Sequence, residues 1–192
     1  ILDGPGMGGA RGFNVAAGAS LELNNLTMQE FPHAIYIPPG YGVIEVDINN
    51  CRLYNNHLGS DGGAAIGGFS EAGAIYISGT EVSYNQAPSC GAIFSRGSLT
   101  IDQNSSFHHN LAADTFGGAV CNAEDGILEV SGSTFYENSA NTIGGAIFTG
   151  SGAEGSTGIY LSQIYNNDAG SNGGGLYVEG TSTLSFSRVS GN

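Results

Sequence analysis

The chain has no lysine and only four arginines, Arg11, Arg52, Arg96 and Arg188, against 17 acidic residues, giving a net charge of −13. Without a basic stripe there is nothing to neutralise a phosphate backbone, so nucleic acid is excluded as the expected partner. An acidic, lysine-free surface favours solubility and draws cations or basic partners. No apolar run approaches the roughly 18–20 residues of a membrane span. Neither a signal peptide nor an initiator methionine is present. The opening "ILDG" reads as a start in mid-structure, so a mature product or an excised fragment is expected. Three cysteines cannot form a complete disulfide set. Cys90 and Cys121 fall several residues out of register in neighbouring repeats, and a bridge needs Cα atoms within about 7 Å. Free, mostly buried thiols are therefore expected, which leaves the redox compartment undecided. No window of eleven or more residues keeps a 3.6-residue apolar period, so helices are excluded as the building unit.

What the chain has in abundance is glycine, 33 residues without a Gly-X-Y period, so it is not collagen-like. Hydrophobic residues make up 40%, too many for a disordered segment. Two markers recur. A Gly-Gly-Ala unit or its equivalent places a glycine at Gly63, Gly91, Gly118, Gly145 and Gly174. A Phe-x-x-Asn-like unit ends at Asn56, Asn85, Asn110, Asn138, Asn167 and Asn192. Both repeat every 25–29 residues, and weaker copies precede them at 12–29 and 33–37. About seven repeats fill residues 1–192 as a single domain with no linker. Short alternating runs such as "LTI", "LEV" and "IEV", and second runs such as "AIF" and "GLY", read as strands between Gly, Ser, Asn and Thr turns. Short strands, tight turns and no helix in one period describe a β-solenoid. Seven coils stacked about 4.8 Å apart would make a rod about 35 Å long. A leucine-rich repeat is excluded for want of Leu-x-x-Leu-x-Leu in register, and a nonapeptide calcium roll by the period.

Each column of the repeat has a physical task. The position three before each Asn holds Leu53, Val82, Phe107, Phe135, Ile164 and Val189, an inward apolar stack. The Asn column is read as a structural ladder. Buried bends strand backbone groups, and Asn can carry positive φ, bond the backbone, or bond its own kind across coils. After Gly-Gly-Ala the next residue (Ile35, Ala65, Ile93, Val120, Ile147, Leu176) is expected inward and the following one (Tyr36, Ile66, Phe94, Cys121, Phe148, Tyr177) outward. Tyr36, Phe94, Phe148 and Tyr177 thus form a candidate contact stripe unless a bend or loop buries them. Tyr54, His108, Tyr136 and Tyr165 are expected to line the outside.

The pairing of "GGAV" 117–120 with "FYEN" 135–138, of "GGAI" 144–147 with "IYNN" 164–167, and of "CGAI" 90–93 with "FHHN" 107–110 resembles the repeat of chlamydial polymorphic outer membrane proteins and related extracellular β-helix proteins. The resemblance covers roughly residues 33–192, with Phe replaced by Val at two positions and by Leu or Ile at two more. It implies an all-β, right-handed parallel β-helix of the pectin lyase-like class. It also implies an extracellular or cell-surface location and a role as adhesin or structural scaffold. The alternative within that class is a carbohydrate-active enzyme, a polysaccharide lyase or glycoside hydrolase. Lyases of that kind need carboxylates for Ca²⁺ and a Lys or Arg base, and hydrolases need two or three converging carboxylates. Asp47, Glu81, Asp102, Glu129 and Glu179 are scattered in sequence, and Glu124-Asp125 is the densest pair. His108-His109 is a poor metal pair, because adjacent residues on a strand point to opposite faces. No catalytic, metal or cofactor residue is therefore assigned. The outward first-strand column, read as Glu22, Glu45, Thr100, Glu129, Tyr160 and Ser185, lacks the regular Thr of an ice-binding face. Asn25 and Asn104 lie in glycosylation sequons. The expected partners are a glycan or surface ligand and further copies of the chain, joined end to end into a fibre or along the aromatic stripe.

Overall fold

A computed structural model describes residues 1–6, 9–38, 44–60, 62–68, 73–150 and 155–192. Twenty-six short strands pair only in parallel, each with the equivalent strand one repeat away, and no helix occurs among the described residues. The result is a parallel β-solenoid of about six turns, in line with the seven repeats counted. Three sheets run its length. The long-strand sheet has seven members, among them Ile44–Asn49, Gly73–Ser78, Ser98–Asp102 and Ile127–Ser131. The Phe sheet has eight, including Arg52–Tyr54, Glu81–Ser83, Ser106–His108, Thr134–Tyr136 and Gln163–Tyr165. The Gly-Ala sheet has seven, including Ile35–Ile37, Ile66–Gly68, Ile93–Ser95, Val120–Asn122 and Ile147–Thr149. A short fourth sheet, from Gln86–Ala87 to Asp168–Ala169, bridges the last two.

Strict alternation builds the core. Val46, Ile48, Leu99, Ile101, Leu128 and Val130 from the long strands meet Leu53, Val82, Phe107, Phe135 and Ile164 from the Phe strands and Ile66, Ile93, Val120 and Ile147 from the Gly-Ala strands. Phe107 and Phe135 are fully buried and stack with centroids 4.7 Å apart. Val189, paired with Ile164, is 47% exposed.

Two register expectations need correction. Ile66, not Ala65, pairs with Ile35 and Ile93, so Ile66 is inward and fully buried, and Gly67 stands beside Tyr36 in the outward column. The run "GGAAI" carries one alanine more than its neighbours, and Gly63 takes the first-glycine position opposite Cys90 rather than the second. Along the long strands the column of Glu22 continues through Asp47, Tyr76, Thr100, Glu129, Gly158 and Thr183, which still offers no regular Thr.

Cys90 and Cys121 are not free thiols. They form a disulfide with Cα atoms 5.2 Å apart, while Cys51 is a buried free thiol. The reason lies in the corner. Cys90 occupies the column of Gly63, Gly117, Gly144 and Gly173, and all five have positive φ, 52° at Cys90. That conformation folds the chain back on itself, so a side chain in this column faces the residue four positions later. A Cβ built on Gly144 would lie 3.1 Å from the Cβ of Phe148, and one built on Gly117 would run into Cys121. Two columns four residues apart in sequence are thus adjacent in space. Closing a loop of this length stabilises by about 2–4 kcal/mol. Cys90→Gly with Cys121→Ser should therefore lower the urea midpoint measurably, and an unchanged midpoint would show that the bridge adds nothing.

Candidate functional site

The repeated Asn residues turn inward at the corner after each Phe strand. Asn85 shows the pattern. Its backbone N–H and its Nδ2 both donate to Oδ1 of Asn110, each at 3.0 Å, and Nδ2 also donates to the Leu53 carbonyl at 2.9 Å. The same three bonds recur at Asn110, Asn138 and Asn167, so Asn56, Asn85, Asn110, Asn138, Asn167 and Asn192 form one continuous ladder. Asn56 through Asn167 are at most 2% exposed. At the opposite end Phe31 replaces the Asn, and its N–H donates to Asn56 Oδ1. The positive φ anticipated for the ladder falls one residue earlier, on Asn55, Tyr84, His109, Glu137 and Asn166. The left-handed residue makes the bend, and the Asn that follows satisfies the backbone groups the bend exposes.

A second ladder escaped the sequence reading. At the corner before each Phe strand stand Cys51, Thr80, Ser105, Ser133, Ser162 and Ser187. Four of them accept the N–H one coil earlier: Thr80 Oγ1 from Cys51 at 3.1 Å, Ser105 Oγ from Thr80 at 3.2 Å, Ser162 Oγ from Ser133 at 3.2 Å and Ser187 Oγ from Ser162 at 3.1 Å, while Cys51 Sγ accepts from the Leu26 N–H at 3.5 Å. Its signal in the sequence is a small hydroxyl, or the isosteric thiol of Cys51, two residues before every inward apolar residue.

The candidate contact stripe is largely covered by the chain itself. Phe148 is 8% exposed and Cys121 fully buried. Phe116 stacks on Phe148 at 4.4 Å, and Phe148 stacks on Tyr177 at 5.8 Å. Tyr36 lies beneath the Arg11 guanidinium at 3.4 Å, and Phe94 keeps a half-buried ring.

Outward chemistry concentrates instead on the Phe sheet. Tyr54, Ser83, His108, Tyr136 and Tyr165 share one column, and Tyr84 and His109 stand beside it at the left-handed positions. His108 stacks on Tyr136 at 4.7 Å, Tyr136 on Tyr165 at 5.4 Å, and His109 on Tyr84 at 4.7 Å. Glu81 holds Arg52 at 3.1 Å and accepts from Ser83 Oγ at 2.8 Å. It also lies 3.4 Å from His108 Nε2, while Glu137 lies 2.9 Å from His109 Nε2. The opposite-face expectation for His108-His109 fails because the strand stops at His108. His109 has φ 55°, which swings its ring alongside, and the two Nδ1 atoms are 3.0 Å apart. Burial lowers the His108 pKa, against the pull of Glu81. Burial also raises that of Tyr136, helped by Tyr165.

Two of the arginines meet carboxylates in space. Besides Arg52 with Glu81, Arg96 reaches Glu124 at 2.9 Å, next to Asp125 in sequence. These residues, with Gly73, Gly97 and Ile127, line an open groove of about 610 Å³ between the Gly-Ala and long-strand sheets. Among the described residues no three His, Cys, Asp or Glu side chains converge on one point.

A family model for the Chlamydia polymorphic membrane protein repeat matches residues 132–150. That span holds Phe135, Asn138 and the Gly144–Ile147 corner, one of each recurring unit. No curated protein and no solved structure matches the chain. The repeat match and the parallel coil agree with each other, and together they point to a surface-associated protein with a β-helix fold.

Proposed function

We propose that the chain is a cell-surface scaffold that binds an external ligand, a glycan or a surface protein, on the outward face of its Phe sheet without turning it over. The observation that carries this reading is the row from Tyr54 through His108 and Tyr136 to Tyr165, with Tyr84 and His109 at its side, which concentrates ring and charged groups on one face. His108, Tyr136 and Tyr165 stack in that order along the rod, so both faces of the Tyr136 ring are covered and its edge and hydroxyl are left for a ligand. Recognition is therefore by hydrogen bonds to ring edges and hydroxyls rather than by sugar stacking. Two further features support a location outside the cytosol: the repeat match, and the Cys90–Cys121 disulfide, a bond that persists in oxidising compartments.

The test is adhesion of the purified chain to glycan arrays and to cells. Tyr136→Phe with Tyr165→Phe removes two hydroxyls and keeps the stack. Binding should fall about ten-fold, the loss of roughly one hydrogen bond's worth of free energy. Undiminished binding would move the ligand elsewhere. The groove at Arg96 and Glu124 favours one second reading, a carbohydrate-active enzyme. Polysaccharide turnover, with or without Ca²⁺, that disappears in Arg96→Ala and Glu124→Gln would replace the scaffold reading with that one.

A further inference from the structure

On the outer face of the Phe sheet, His108 and His109 present their Nδ1 atoms to each other at 3.0 Å. Each ring has its other nitrogen, Nε2, beside a carboxylate, Glu81 for His108 and Glu137 for His109. A neutral imidazole carries one N–H, and a neighbouring carboxylate draws it to the near nitrogen. Both Nδ1 atoms are then left with lone pairs pointing into the same small space. Two lone pairs at that distance repel, and a cation shared between them removes the repulsion. Metal-bound histidines have this arrangement: one nitrogen on the metal, the other donating to a carboxylate that fixes the tautomer and raises the basicity of the ligand.

We propose that His108 and His109 form a two-nitrogen site for a divalent transition-metal ion of the Zn²⁺ or Cu²⁺ class. Metal–nitrogen bonds of about 2.0–2.1 Å put adjacent ligand nitrogens roughly 2.9–3.4 Å apart, depending on geometry, and the observed separation falls in that range. Imidazole nitrogen suits these ions better than Ca²⁺ or Mg²⁺, which prefer oxygen. The surroundings hold both rings still. His108 lies on Tyr136 and His109 on Tyr84, and Glu81 is itself fixed by Arg52 and Ser83. The net charge of −13 raises the local concentration of cations. No third His, Cys, Asp or Glu among the described residues joins the pair, so the remaining coordination positions stay open to solvent or to a donor from a ligand.

Cu²⁺ is the probe. One equivalent added to the purified chain should give an electron paramagnetic resonance spectrum with coupling to two imidazole nitrogens, and Zn²⁺ added to the metal-free chain should bind with one-to-one stoichiometry by calorimetry and be displaced by Cu²⁺. His109→Gln should remove one nitrogen from the spectrum and weaken binding at least ten-fold. Glu137→Gln should keep both nitrogens and weaken binding about 10–100-fold, as loss of a carboxylate behind a ligand does. His57→Gln, away from the pair, should change neither, and circular dichroism melting confirms that each variant folds. Oxygen-only ligation, binding that survives His108→Gln with His109→Gln, or a pair that holds only a proton in ¹⁵N spectra while taking up no metal, would each overturn the proposal.

Discussion

Asn138→Ala should lower the stability of the chain by about 1–3 kcal/mol. In the intact ladder Asn138 Oδ1 accepts from the N–H and from Nδ2 of Asn110, and Asn138 Nδ2 donates to the Phe107 carbonyl and to Asn167 Oδ1. Deleting the amide strands one backbone group, the Asn110 N–H, and takes from the Phe107 C=O the partner it has besides the strand ladder, in a place where Asn138 is 1% exposed and water cannot easily replace it. Asn110 Nδ2 keeps Val82, and Asn167 Oδ1 keeps the Asn138 N–H, so the side-chain amides on either side lose less. Each stranded buried group costs about 1–3 kcal/mol. Asn141, in the same repeat but exposed, is the control, and Asn141→Ala should stay within about 0.5 kcal/mol of the parent. Equal midpoints for the two variants in urea would remove the ladder from the account of stability.

A larger loss is expected at the centre of the core. Phe107 and Phe135 are both fully buried and lie one coil apart, with stacked rings 4.7 Å between centroids and planes within 9°. Phe107→Ala or Phe135→Ala should each cost about 3–5 kcal/mol, the transfer of the ring plus the cavity it leaves. Because the rings touch, the two losses should not add. The double variant opens one joined cavity and has already lost the shared contact, so its cost should fall short of the sum by about 0.5–1.5 kcal/mol. Phe135→Leu keeps most of the volume and resembles the Ile164 that follows it in the column, so it should cost much less than Phe135→Ala. Costs that add within about 0.5 kcal/mol would mean that the rings do not stack as described.

Much of this architecture could be read from residue spacing. Period, strand content, the inward column from Leu53 to Ile164 and the Asn ladder all follow from side-chain chemistry repeated at one interval, because in a solenoid equal spacing in sequence becomes adjacency in space. Other features depend on where the backbone turns, which spacing alone does not record. Left-handed residues occupy three corners of the coil, and many are not glycine: Tyr84, His109, Glu137 and Leu161 give no sign of it by residue type. One such corner brings Cys90 against Cys121, and another brings His109 beside His108. Repeat register sets the two cysteines apart and strand alternation sets the two histidines on opposite faces, and neither records a backbone that folds back on itself. The one-residue slip at Ile66 has a simpler origin. "GGAAI" allows two alignments of its glycines, and only the pairing of Ile66 with Ile93 separates them. The hydroxyl ladder was missed because Ser and Thr are common in every turn of this chain, so their column did not stand out.

The central claim is that the repeated polar residues are consumed inside the coil, leaving function to the outer face. Backbone amide hydrogen exchange at Asn110, compared between the parent chain and Asn138→Ala under native conditions, tests it most directly. In the parent, the Asn110 amide donates to Asn138 Oδ1 at 3.1 Å, in the buried interior, and should exchange as slowly as core amides such as Phe107. In Asn138→Ala the Asn110 amide should lose protection by far more than the amides of the outer strands. Fast exchange at Asn110 in the parent, or equal exchange in the two proteins, would contradict the ladder and with it the assignment of the Asn column to structure.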